Sequence, residues 1–232
     1  VENPDSSPQS ALLTHKPDFV SWVQPRCPHE ALIRSEGSRI VVEDGKGEPL
    51  AASISTAEPS AKEYAAEVNR RLESVYVAGL LREPAPVEGS EPLDIELAWN
   101  AGRSRYDLLV SPGEGNLAVF LVDPEGGMSV ACPSPLGDEP PQRGDWIVCG
   151  SHEARPPKGQ HHVIALRIDQ PWLPLLEEAA GRQLGRAPRF APSRAGRGSE
   201  AAGIARAIRE RLRGGDAWRR GAVSYDTLGA DR

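Results

Sequence analysis

From Leu93 to Ile168 the chain repeats one unit: a short apolar run followed by residues that suit a turn. Leu93-Asp94-Ile95-Glu96-Leu97 alternates apolar and charged residues. Successive side chains of a strand point to opposite faces, so this reads as a strand with one wet face. Arg105 to Ser111, Asn116 to Asp123 and Met128 to Cys132 continue the series, with Pro112-Gly113 and Pro124-Glu125-Gly126-Gly127 between them. A loop carrying Pro133, Pro135, Pro140 and Pro141 leads to two more strand candidates, Asp145 to Cys149 and His162 to Ile168. Short strands at regular spacing predict a mostly β, α+β protein: an antiparallel β sandwich with a few flanking helices.

The sequence divides around that series. Residues 1–28 form an extended N-terminal arm, punctuated by Pro4, Pro8, Pro17, Pro25 and Pro28, in which Phe19, Val20, Trp22 and Val23 can dock. Residues 29–92 form a small strand and helix region. Its strand candidates are Ala31 to Ile33, Arg39 to Val42 and Leu50 to Ile54, with Asp44-Gly45-Lys46-Gly47 as turn chemistry. Its helix spans Ser60 to about Leu80: Ser60 and Glu63 fit a capping box, and Tyr64, Val68, Leu72, Val75 and Tyr76 recur at helical spacing. A proline- and acid-rich linker, Glu83 to Pro92, leads to the β-sandwich core, 93–170. Residues 171–232 are a basic helical region with a returning strand. There Trp172 to Leu184 reads as a helix, Gly185 to Gly198 as a mobile segment, and Ser199 as the cap of a helix that aligns Ile204, Ile208 and Leu212. Val223-Ser224-Tyr225 is the strand expected to tie the terminus back to the sheet.

In its ordering, the stretch from Leu93 to Ile168 resembles a bacterial domain of unknown function found after caspase-like peptidase or kinase domains. The residues that carry the resemblance are Leu93 to Leu97, the run Gly115 to Met128, Cys132-Pro133, and Trp146-Ile147-Val148 with His162 to Leu166 as a closing hairpin. Ser38 to Gly47 and the Ser60 helix resemble the region between peptidase and accessory domain. The resemblance implies an accessory module without catalytic residues of its own. The peptidases themselves carry a histidine followed by glycine, and no histidine here is followed by glycine.

Charge is unevenly spread. The net charge is −6, yet between Arg182 and Arg220 the arginines are opposed only by Glu200, Glu210 and Asp216. Such asymmetry can mark a nucleic-acid or membrane contact; the simpler reading is a basic helix lying on the acidic body of its own domain. Nucleic-acid binding would want aromatics among the arginines, and only Phe190 and Trp218 are near. An acidic protein partner suits the chemistry better, with Arg206, Arg209, Arg213 and Trp218 as the contact residues. A caspase-like protease is a candidate partner, and Arg189, Arg194 and Arg197 mark a cleavage region in the mobile segment. No run approaches the roughly 20 apolar residues of a membrane span. The cysteines Cys27, Cys132 and Cys149 cannot all pair, which favours a reducing, cytoplasmic setting. Val rather than Met stands first, so the lack of a leader says little about compartment.

Candidate chemistry is sparse, and no cofactor is expected. Cys149 with His152, His161 and His162 offers a cysteine hydrolase as the alternative function, because a thiolate beside an imidazole is a nucleophile. A nucleic-acid adaptor using the arginine-rich end is a second alternative. Cys27, His29, Cys149 and His152 contain zinc-ligand residue types, but not with finger spacing. Arg143-Gly144-Asp145 reads as a turn into a strand, and Gly113-Glu114-Gly115 is too short for a phosphate cradle and lacks the lysine. The expected function is therefore a non-catalytic interaction or regulatory module.

Overall fold

The computed structural model describes residues 20–21, 32–36, 39–43, 49–55, 61–82, 92–100, 105–132, 141–153, 159–185, 188–192, 199–213 and 218–227. In chain order these form β1 (Leu32–Glu36), β2 (Arg39–Glu43), β3 (Pro49–Ser55), α1 (Ala61–Arg82), β4 (Ile95–Asn100), β5 (Arg105–Val110) and β6 (Asn116–Val122). There follow β7 (Met128–Cys132), β8 (Gln142–Arg143), β9 (Trp146–Glu153), β10 (Gly159–Ile168), α2 (Trp172–Ala180), β11 (Arg189–Phe190), α3 (Glu200–Arg213) and β12 (Trp218–Thr227). The fold is mostly β and every strand pairing is antiparallel, as the strand series predicts.

Two sheets make the sandwich. One has the order β11-β7-β6-β10-β12, the other β4-β5-β9-β8. Leu108, Val110 and Cys149 from the four-stranded sheet meet Leu117, Val119, Cys132, Val163 and Ala165 from the five-stranded one. The other face of the five-stranded sheet, with Ala118, Phe120, Val122, Ile164 and Leu166, is covered by apolar residues of α1, α2 and α3. The helices thus form a third layer, and β6 and β10 are buried on both faces. A third sheet, β1-β2-β3, lies to the side, with β3 against α1 and β10.

Two expectations need correction. The closing hairpin expected between Trp146–Val148 and His162–Leu166 does not exist: β9 pairs with β5 and β8, whereas β10 pairs with β6 and β12 in the other sheet. A strand that is apolar on both faces needs a partner on each edge and a layer on each side, which a hairpin with half-solvated β9 cannot provide. The helix expected over Trp172–Leu184 stops at Ala180, because Gly181 takes a left-handed conformation (φ 62°) and returns its N–H to the last turn. At the front of this helix the Trp172 indole donates to the Asn116 carbonyl (2.8 Å) and packs edge-on against Phe120.

The sheets are joined at one end by the β5–β6 connection, and Arg167 holds that connection. Arg167 is 4% exposed, and its guanidinium donates to the carbonyls of Gly113 (2.8 Å), Gly115 (3.1 Å) and Ser111 (3.1 Å). Along one edge, β12 comes so close to the start of β4 that Leu93 N donates to the Arg220 carbonyl (3.0 Å) and a methyl on Gly221 would overlap the Leu93 carbonyl. The β6–β7 turn is an Asx turn: Asp123 Oδ1 accepts from the amides of Glu125 (2.8 Å) and Gly127 (2.9 Å). Ser74 of α1 caps it by donating to the Asp123 carbonyl (2.7 Å).

Replacing Arg167 with Met keeps the stem but orphans those carbonyls, so Arg167→Met is expected to cost about 3 kcal/mol. Urea unfolding followed by tryptophan fluorescence measures it; a loss below about 1 kcal/mol would mean that the connection finds water instead.

Candidate interaction surface

The helix α3 is built to be held on one side and open on the other. Ser199 Oγ accepts from Ala202 N (3.0 Å), the N-cap expected from the sequence. Glu200 in the first turn accepts from Arg182 Nη2 (2.8 Å) and from the Ala191 amide (3.1 Å). The Arg182 hydrogen bond, foremost, keeps its carboxyl below the usual range. Ala201, Ala202, Ile204, Ala205, Ile208 and Leu212 are buried, and this face packs on α1 and α2. With those positions fixed, the 3.6-residue period turns Arg206, Arg209 and Arg213 away from the core.

Arg206 and Arg213 are exposed and Arg209 is half-buried. Arg209 grips Glu210 through Nε (3.2 Å) and Nη2 (2.7 Å). Glu210 is held below the usual carboxylate range by that bond first, then by the charges of Arg209, Arg213 and Arg206. The exposed Glu210 carboxylate thus lies in the field of three guanidinium groups. From neighbouring elements, neutral oxygens reach the same helix: Arg206 Nη2 donates to the Tyr76 hydroxyl (3.2 Å), and Arg211 Nη2 to the Gln170 amide oxygen (2.7 Å). Trp218 opens β12 in register with Ile168, on a different element from the three arginines.

The cleavage region is not one continuous open segment. Arg189 and Phe190 form β11, paired with Ser129 and Met128 of β7, and Phe190 is buried against the helices. The Pro188 carbonyl accepts from Val130 N (3.1 Å). Arg189 is thus exposed but fixed in a ladder, because Phe190 supplies apolar area that the helix layer needs. Arg194 and Arg197 lie outside the described residues.

Within the cysteine–histidine grouping, Cys149 and His162 are separated by the five-stranded sheet. Cys149 lies within β9, 2% exposed, in the core between the sheets. Its thiol is pushed up by a hydrogen bond with Cys132 and by burial, the reverse of what a thiolate nucleophile requires. His162 is on the other side of the five-stranded sheet, where its Nδ1 lies 3.4 Å from Arg82 Nη2. His152 lies on β9, in register with Tyr106. Cys27 and His29 lie outside the described residues, among which no group of three metal-ligating side chains occurs. Arg143-Gly144-Asp145 is the β8–β9 turn, with Gly144 left-handed (φ 60°). Gly113 and Gly115 offer carbonyls to Arg167, the opposite polarity to a cradle of N–H groups. No helix among the described residues is long and apolar enough to cross a membrane.

The groups that the sequence leaves unannounced are Tyr76, the buried pair Arg82–His162, and Arg167. Tyr76 stands in the apolar stripe of α1, and only the packing of α3 reveals that its hydroxyl meets Arg206.

His162 makes the fold sensitive to acid. Burial first, then Arg82 and His161, push its pKa down to about 3. The unfolded chain therefore takes up a proton near the ordinary histidine value while the folded chain stays neutral there. The stabilisation is complete above about pH 6.5 and is lost as pH falls towards 3, at about 1.4 kcal/mol per pH unit. Urea midpoints between pH 7 and 4 are expected to fall steeply in the native chain and less steeply in His162→Asn; parallel curves would show that another group sets the slope. Compared with protein-family models, curated proteins and solved structures, the chain matches none.

Proposed function

We propose that this chain is a non-catalytic protein-interaction or regulatory module whose contact surface is the arginine face of α3. The observation that carries this reading is that Arg206, Arg209 and Arg213 share one side of a helix, with Glu210 bonded to Arg209, while the opposite face is fixed in the core. A rigid surface with excess positive charge loses little entropy on binding and selects an acidic partner by charge. Trp218, at the start of β12, completes the proposed contact set. In its finer form, drawn from the resemblance of the strand series, the module is bacterial and cytoplasmic, and accompanies a caspase-like protease as attached domain, regulator or substrate.

As a substrate it would be cut beside arginine. The pairing of Arg189 with Ser129 narrows that reading to Arg194 and Arg197. Brief trypsin treatment of the native chain is expected to cut after Arg194 or Arg197 before Arg189; a first cut after Arg189 would count against the substrate form.

The module itself is tested by charge reversal. Immobilised native chain and the triple variant Arg206→Glu, Arg209→Glu, Arg213→Glu are exposed to lysate, and bound proteins are identified by mass spectrometry after washes at rising salt. The expected result is an acidic protein held by the native chain, released by salt and lost from the variant. Retention by both chains would sink the surface, and a nuclease-sensitive catch would replace the protein partner with nucleic acid.

A further inference from the structure

We propose that Cys132 and Cys149 are a disulfide-forming pair, able to staple the two sheets of the sandwich together through their shared core. Cys132 ends β7 in the five-stranded sheet, and Cys149 lies within β9 in the four-stranded sheet. They are 1% and 2% exposed, and both belong to the apolar cluster between the sheets. Strands β7 and β9 are not hydrogen-bonded neighbours, yet their Cα atoms approach within 8 Å. Packed sheets ordinarily stand about 10 Å apart. The two sheets thus approach more closely than usual along β7 and β9, the strands that carry the two cysteines, and a disulfide needs a Cα separation of roughly 4.4–6.8 Å.

The backbone is shaped to bring the thiols together. In β7, Met128 and Val130 face the helices, so strict alternation would send Cys132 the same way. The β6–β7 ladder instead shifts register between the pairs Phe120–Val130 and Val119–Cys132. That bulge turns Cys132 to the opposite face, into the inter-sheet core beside Val119. The β5–β9 ladder is likewise irregular where Cys149 and Gly150 stand opposite Leu108, between the pairs Leu109–Val148 and Asp107–Ser151, and Gly150 takes φ 121°. Each cysteine thus sits at an irregularity of its own sheet, the feature by which strands re-aim a side chain. A hydrogen bond with Cys132 is the first cause that raises the Cys149 thiol pKa, in keeping with two thiols side by side.

Bond formation consumes two thiols and one small-molecule disulfide, such as oxidised glutathione. One cysteine thiolate attacks the donor and releases a first reduced thiol. The second cysteine then displaces a second reduced thiol as the Cys132–Cys149 bond closes, so two electrons and two protons leave with the donor. Attack needs an exposed thiolate; burial helps hold the Cys149 thiol protonated and keeps both cysteines out of reach in the closed fold. Closure consequently occurs while the sandwich opens or folds, and the reduced pair is inert once packed.

The test uses the full chain, held with oxidised glutathione in urea below its unfolding midpoint so that the sandwich opens transiently. Remaining thiols are then blocked, and the intact mass and tryptic peptides are read. Arg143 separates the two cysteines into different tryptic peptides, so a bond between them is unambiguous. The expected product is about 2 Da lighter, linked Cys132 to Cys149, with Cys27 alkylated. Its melting temperature is raised by roughly 5–10 °C over the reduced chain. Cys27→Ser is expected to give the same product, and Cys149→Ala no intramolecular link. A dominant bond to Cys27, or full alkylation of Cys132 and Cys149 after prolonged opening, would overturn the proposal.

Discussion

Strands β6 and β10 have no solvated face, and the rest of the molecule is arranged to make that possible. Phe120, Ile164 and Leu166 on one side and Val119, Val163 and Ala165 on the other are almost wholly withdrawn from water. Full burial of a large apolar side chain contributes about 1.5–3 kcal/mol, so this central pair is a large contributor to the folding free energy. It also imposes a condition. Backbone polar groups buried in this way must be paired within the sheet, and β10 therefore runs between β6 and the ten-residue β12. The returning strand at the end of the chain is thus a requirement of the core.

Polar groups inside this arrangement are placed where its edges need them. Arg167 lies on β10 but spends its donors on the loop that carries the chain from one sheet to the other. Its charge is spread over several carbonyl dipoles. That arrangement also ties loop geometry to the register of β10: a one-residue slip would withdraw the clamp and invert every core contact together. At the other end of β10, His162 and Arg82 meet between α1 and the sheet. Burial holds Arg82 below its ordinary value, with Arg220 adding to the effect. One strand carries a cation that stabilises the fold at one end and a base whose protonation opposes it at the other.

Much of this was legible in the residues. The alternation of Leu93 to Leu97 announces a strand with one wet face, and Asn116 to Asp123 announces another strand; β4 and β6 are those, although the burial of β6 on both faces is shown only by the packing. Ser199 and the Ile204, Ile208, Leu212 stripe place α3 to the residue. What stayed hidden depends on contacts between distant segments. The β9–β10 hairpin is what the family resemblance implies, but sequential strands pair only about two-thirds of the time, and here the two belong to different sheets. Phe190 is one apolar residue in a stretch of proline, arginine and serine, too short to show a period, although it completes the core. Cys132 defeats the pattern for a different reason: the bulge that turns it towards Cys149 reverses the face that alternation assigns, and no local residue signals it.

The arginines of α3 owe their position to the same constraint as the central strands. The helix side of the five-stranded sheet requires an apolar cover, and α3 supplies Ala201, Ile204, Ala205 and Ile208 to it. A helix that commits so much of its circumference to the core can place charge only on what remains. Along α3 that remainder holds Arg206, Arg209, Arg211 and Arg213 with Glu210 among them. Stability alone would be served by alternating signs, since paired charges on a helix surface relieve repulsion. A helix face on which arginine predominates attracts opposite charge from outside, which is the physical basis for the proposed reading of this face as a contact surface.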